Sequence, residues 1–178
     1  MFEGIAFVGG IHGVGKSFIC KNICNELKME YLSASKLLKW EDINNDNKNK
    51  KVQNVLETQN RLINGLTETV QKGKHYLLDG HFCLLSNDDK IINVPQETFE
   101  QINPISLNLI LGNISEIKRN LEKRDNKYYN YQLLKHLQKE EYERAKYLSK
   151  TLGITLNVVD KNDFRELLNL LKKNLEIK

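Results

Sequence analysis

Apolar positions along this chain fall into two kinds of block. Ile5-Ala6-Phe7-Val8, Tyr76-Leu77-Leu78, Leu107-Asn108-Leu109-Ile110-Leu111 and Ile154 to Val159 are short, nearly continuous apolar runs flanked by glycine or polar residues. Such runs predict strands buried on both faces, and Tyr31 to Ala34 is a shorter candidate of the same kind. Between them the apolar spacing changes to three or four. Ile19, Ile23 and Leu27 mark a helix from Lys16 onward, and Lys36 to Trp40 reads as a short one. Val52, Val55, Leu56, Leu62, Ile63 and Leu66 predict a longer helix stopping around Gly73, and Glu97 to Gln101 a brief one. Ser115 is placed to cap a helix through Ile117 and Leu121 to about Arg124. Leu133 to Leu152 continues as helix until Gly153, and Phe164, Leu167, Leu168, Leu171 and Leu175 mark a closing helix.

Strands of four to seven residues alternating with helices predict an α/β domain with a parallel sheet of about five strands, covered on both sides. Three stretches break the pattern: Glu41 to Lys51, rich in Asn and Lys, Ser86 to Pro95, and Asp125 to Asn130. We read them as loops. No repeat or linker divides the chain, so residues 1–178 are expected to form a single domain with inserts.

Composition narrows this picture. Hydrophobic residues make up 40% of 178, enough for a core without metal or disulfide staples, and too many for a disordered chain. No apolar run approaches the roughly 18 residues of a membrane span. The net charge of +4 suits phosphate-bearing ligands but does not by itself indicate nucleic acid. Cys20, Cys24 and Cys83 are few and odd in number, with no secretory segment ahead of them, which predicts reduced thiols and a cytoplasmic setting. Cys20 and Cys24, beside Ile19 and Ile23, read as small core residues rather than metal ligands.

The chemistry is concentrated after the first strand. Gly10-Ile11-His12-Gly13-Val14-Gly15-Lys16-Ser17 matches G-x-x-x-x-G-K-[ST] in the context it requires, strand then loop then helix. Glycines let successive N–H groups converge on phosphate oxygens, and the following helix adds the positive end of its dipole. We therefore expect ATP phosphates to be held by Gly10, His12, Gly13, Val14, Gly15, Lys16, Ser17 and Phe18, with Lys16 against the β- and γ-phosphates and Ser17 on Mg²⁺. His12 also reads simply as a filler side chain. Asp79, closing the second apolar run, is the expected second Mg²⁺ element, and His81 lies two residues beyond it. The predicted fold is thus a three-layer αβα phosphate-loop (P-loop) nucleotide-binding domain.

A GTPase would carry D-x-x-G and N-K-x-D; here Asp79-Gly80-His81-Phe82 lacks the second glycine, and Asp160-Lys161-Asn162-Asp163 only approaches the other. Motor and AAA-type ATPases usually carry more chain and sensor elements, so small kinases are the class expected. Over nearly its whole length the chain resembles the nucleoside-monophosphate kinases, most closely the archaeal-type adenylate kinases. The likeness rests on Gly10 to Ser17, Asp79-Gly80-His81, Val94-Pro95, Ile102-Asn103-Pro104, Arg119 and Lys123-Arg124-Asp125. Bacterial adenylate kinases instead follow the aspartate with G-[FYI]-P-R.

This resemblance implies Mg²⁺-dependent transfer of the γ-phosphate of ATP to a nucleoside monophosphate. Lys16, Asp79, Arg119 and Arg124 would be the catalytic set, the arginines gripping phosphate oxygens beside a short lid at about 119–131 that includes Tyr128 and Tyr129. Both arginines also fit a solvated cationic helix end, and Arg144 fits either a further phosphate contact or a surface pair with Glu140. The acceptor is expected between residues 33 and 71, with Ser33, Ser35, Lys51, Asn54 and Gln59 as polar candidates, together with His81. A phosphate acceptor needs no general base; a hydroxyl acceptor would draw on Asp79 or His81. Two other readings stay open: a kinase for a nucleoside, polynucleotide 5′ end or other alcohol, and an ATP-occupied regulatory module docking through Glu41 to Lys51. A small-molecule acceptor is the expected partner, with no membrane or nucleic acid and no protein partner indicated.

Overall fold

The computed structural model describes residues 2–38, 51–52, 55–86 and 88–175, with the side chains of 51, 52 and 55–57 excepted. Its strands are β1 (Ile5–Gly9), β2 (Glu30–Ser33), β3 (Lys51–Val52), β4 (Tyr76–Asp79), β5 (Cys83–Ser86), β6 (Ile91–Asn93), β7 (Ser106–Leu111) and β8 (Leu156–Asp160). Its helices are α1 (Lys16–Leu27), α2 (Ala34–Leu37), α3 (Val55–Thr69), α4 (Gln96–Ile102), α5 (Ile114–Asp125), α6 (Tyr131–Leu152) and α7 (Phe164–Asn174).

The main sheet has five strands in the order β2-β4-β1-β7-β8, all parallel. Side chains of a strand alternate between faces, and the core divides accordingly. Ala6 and Val8 of β1 pack with Ile19 and Ile23 of α1, Ile117 and Leu121 of α5 and Leu167 and Leu171 of α7. Ile5 and Phe7 face the other way, onto Leu62 and Leu66 of α3, Phe99 and Ile102 of α4 and Ala145 and Leu148 of α6. The expected three-layer α/β fold is therefore the one observed.

Strand β1 lies between β4 and β7, so the chain leaves it to one side and later returns on the other. Parallel α/β sheets open a crevice at such a switch, outside the carboxyl ends of the strands. Register decides what meets there. Val8 pairs with Asp79 and Asp79 with Ser33, which sets the loop after β1, the end of β4 and the end of β2 at one level.

Several local expectations are corrected. The cap of α5 is Asn113, whose side chain accepts the Glu116 N–H, and not Ser115, which lies within the helix. Val52 belongs to the short strand β3 beside β5, ahead of α3. The stretch from Ser86 to Pro95 is not all loop: β6 pairs antiparallel with β5, so residues 91–93 are strand. Asn130 caps α6 by accepting from Gln132 and Leu133, so that helix starts at Tyr131. The last sheet strand is displaced to Leu156–Asp160, and the helix expected over Lys36–Trp40 is seen as Ala34–Leu37. Trp40 and residues 41–50 of the expected polar loop lie outside the described residues.

Candidate active site

The loop between β1 and α1 has the backbone its sequence demands. Gly10, Gly13 and Gly15 have φ of 138°, 80° and 102°, values that side-chain-bearing residues rarely adopt. Close approach adds a second reason at two of them: a Cβ on Gly10 would lie 2.6 Å from the Ile110 carbonyl oxygen, and one on Gly13 2.6 Å from Leu121 Cγ. Gly15 then leads into α1, whose first turn begins with Phe18 and Ile19 N–H groups donating to its carbonyl.

Lys16 is buried, its ammonium donating to the carbonyls of Gly10 (2.6 Å) and Ile11 (3.4 Å) and standing 3.9 Å from Asp79 Oδ1. Ser17 donates to Asp79 Oδ2 at 2.7 Å, and Tyr31 donates to the same oxygen at 3.0 Å. Burial pushes the Tyr31 phenol up to about 12, which keeps it a donor at neutral pH. Ser17 and Asp79 thus form a compact hydroxyl–carboxylate pair next to the loop lysine. That donor set fits Mg²⁺, a hard cation usually held by one or two protein oxygens together with water and phosphate oxygens. Among the described residues no cluster of three or more His, Cys, Asp or Glu is placed to hold a metal ion by itself.

A cavity of about 400 Å³ runs away from this centre. His12, Gly13, Gly15, Lys16, Ser17 and Phe18 line it together with Ser33, Ser35, Thr58 and Gln59. Asp79, Gly80 and His81 lie on its wall as well, and Phe7, Leu38, Leu62, Phe99 and Ile102 give it an apolar lining. Ser33, Ser35, Gln59 and His81, expected at an acceptor site, all lie in this lining. Lys51 is in β3 without a described side chain, and Asn54 lies outside the described residues. Val14 is turned into the core.

The two arginines expected beside a lid are separated. Arg124 lines the cavity with Asn120 and Leu121, while Arg119 is exposed and is not part of the lining. Five residues along a helix rotate roughly 140° at 3.6 residues per turn, so both cannot share a face. Arg124 is held in a fork by Asp125, with two contacts of 2.7 Å, and Tyr129 donates to Asp125 at 2.6 Å. Arg144 neither reaches the cavity lining nor pairs with Glu140: it donates to the Val94 carbonyl at 3.2 and 2.7 Å, bracing the loop before α4.

Sequence reading overlooked Glu141. Its side chain is 0% exposed. Its Oε2 accepts the N–H groups of Gly10 (3.2 Å) and Phe82 (3.1 Å), and its Oε1 accepts that of Cys83 (3.3 Å) and lies 3.3 Å from His81 Nδ1. Burial pushes its carboxyl up to about 7, against the pull of Lys16 and the three backbone donors. The available signal was positional: Leu134, Leu137, Glu141, Ala145 and Leu148 form the buried stripe of α6, and a carboxylate in an apolar stripe needs partners. Thr58 and Asn120 were also missed, being ordinary polar residues on amphipathic helices.

The fold and loop define a P-loop nucleotide-binding domain. A family model described as an AAA domain matches residues 9–138, most of the chain, and the protein belongs to that family. Solved structures of similar fold include a gluconokinase from Sinorhizobium meliloti (TM-score 0.60, 14% identity, 98% of this chain and 93% of that one). A sugar kinase from Janibacter sp. gives a TM-score of 0.62 at 16% identity, covering 97% and 94% of the two chains. An uncharacterized protein from Eubacterium ventriosum gives 0.51 at 14% identity, covering 98% of each. At these identities the likeness shows the fold alone, and it does not single out the archaeal adenylate kinases. No curated protein matches the sequence. Among the described residues no helix is long and apolar enough to cross a membrane.

Proposed function

We propose that this chain is an ATP-dependent phosphotransferase that moves the γ-phosphate to a small acceptor, foremost a nucleoside monophosphate. The observation that carries this reading is the continuity of the cavity: the phosphate loop with Lys16, the polar groups on β2, α2 and α3, and Asp79 and His81 all line one space. Loop N–H groups would bind the donor phosphates, and Lys16 would exchange the Gly10 carbonyl for phosphate oxygens. Arg124 would leave Asp125 to offer the same planar fork to the transferring group. Bound Mg²⁺, held by Ser17 and Asp79, would neutralise charge on those phosphates.

The acceptor end favours a flat base. Phe7, Leu38, Leu62, Phe99 and Ile102 are buried apolar walls, with Gln59 as a buried amide able to read a base edge. A phosphate acceptor is already anionic, so His81 need only hold or release the proton of a monoanion. A hydroxyl acceptor such as a sugar is the second reading. It is supported by the two sugar kinases of similar fold and by His81 beside Glu141, since a hydroxyl needs a base to take its proton. The three free, buried cysteines support a reducing, cytoplasmic setting. The test is a coupled assay with ATP, Mg²⁺ and parallel panels of monophosphates, nucleosides and sugars, with Lys16→Ala as control. Product only in the sugar panel would overturn the nucleotide reading. Product in none of the three, with ATP bound, would overturn phosphotransfer.

A further inference from the structure

Glu141 is a residue of α6 that does not line the cavity, yet its carboxylate is bonded to the residue before Ile11 and His12 and to those just after His81, and Ile11, His12 and His81 all line it. Through Gly10 it holds the first residue of the phosphate loop, and through Phe82 and Cys83 it holds the segment that follows Asp79 and His81. His81, on the cavity wall, rests against the same carboxylate. The backbone is cut to admit it. A Cβ on Gly9 would lie 2.3 Å from the Phe82 ring and 3.3 Å from Glu141 Oε2, so only a residue without a side chain lets β1, Phe82 and the carboxylate close on one another. Phe82 is pinned in turn against Phe7 and Phe99, with ring centroids 5.0 and 5.6 Å away.

A core that needed only shape would place an aliphatic residue in this stripe. A buried carboxylate is costly unless several donors meet it, and the donors here come from two segments about seventy residues apart in sequence, Gly10 and Phe82–Cys83. We infer that Glu141 is a positioning residue for phosphoryl transfer: it fastens the phosphate loop and the acceptor wall to one point on α6, so that donor and acceptor phosphates stay in line. This rests on the phosphotransfer reading above. Glu141 does not line the cavity, and its effect passes through Gly10 and His81.

Glu141→Gln keeps the shape but sets an amide N–H₂ against backbone N–H donors. Assayed well below its melting temperature, the variant is expected to lose roughly 100-fold in kcat, the scale of an ångström misplacement, with KM for ATP and acceptor within about threefold. A merely structural role would lower the melting temperature and leave kcat per folded molecule unchanged, which would overturn the inference. The second measurement needs no variant and no activity: amide hydrogen exchange in the wild-type protein. Gly10, Phe82 and Cys83 should exchange as one protected unit. Independent, rapid exchange at Gly10 would overturn the inference even if Glu141→Gln fails to fold. A wild-type protein inactive on every acceptor refutes the functional reading instead, and the exchange measurement still decides the role of Glu141.

Discussion

Gly13→Ala tests the geometry of the phosphate loop in two separable parts. Gly13 has φ +80°, and forcing an alanine there costs about 1–2 kcal/mol. The new methyl would lie 2.6 Å from Leu121 Cγ and 2.8 Å from its Cδ2, inside a core where Leu121 is 1% exposed. Overpacking of this kind adds about 1–3 kcal/mol. The sum, about 2–5 kcal/mol, corresponds to a fall in melting temperature of roughly 4–20 °C for a domain of this size. Leu121→Ala alone should cost about 2–5 kcal/mol as a cavity. In the double variant the clash disappears and the strain remains, so its cost should fall short of the sum by about 1–3 kcal/mol. Urea unfolding of the four proteins without nucleotide measures this. Strict additivity, within about 0.5 kcal/mol, would refute the claim that the loop is packed against α5 at this point.

Two further outcomes follow from the same structure. Asp79→Asn keeps the hydrogen-bond shape for Ser17 and Tyr31 but removes the carboxylate, so kcat should fall roughly 100–1,000-fold while the fold persists; a loss under tenfold in a Mg²⁺ titration would exclude Asp79 from the ion site. Glu141 has a folded value near 7 against an ordinary 4.5. The folded protein therefore keeps a proton that the unfolded chain releases between those values, and stability from this group, on the order of 3 kcal/mol, is complete below about pH 4.5 and lost as pH rises through 7. Unfolding free energies at pH 5 and pH 8 should show that difference in the wild type and not in Glu141→Gln, and an equal pH dependence in both would contradict it.

What could be read in the sequence was whatever depends on near neighbours. The loop from Gly10 to Ser17 and the aspartate ending β4 are local patterns with one mechanical meaning, and apolar run lengths sufficed for the alternating strands and helices. Convergence of Ser33, Asp79 and the loop followed once strands were registered, because parallel pairing brings strand ends to one edge. Glu141 was hidden because its meaning is supplied by Gly10, Phe82 and Cys83, which nothing in the surrounding Lys139-Glu140-Glu141-Tyr142 run announces. Arg119 and Arg124 looked equivalent as sequence; helical rotation separates them. The cap of α5 was misplaced by two residues because Asn113 and Ser115 are both competent caps and the strand before them decides which is used.

If one cavity joins ATP to an acceptor, the γ-phosphorus must pass from the first to the second. With ATP labelled at that position, Mg²⁺ and a panel of nucleoside monophosphates, chromatography of the products should show label in a nucleoside diphosphate, abolished by Lys16→Ala. Label that stays in ATP or appears only as inorganic phosphate, with ATP binding demonstrated, would contradict the account.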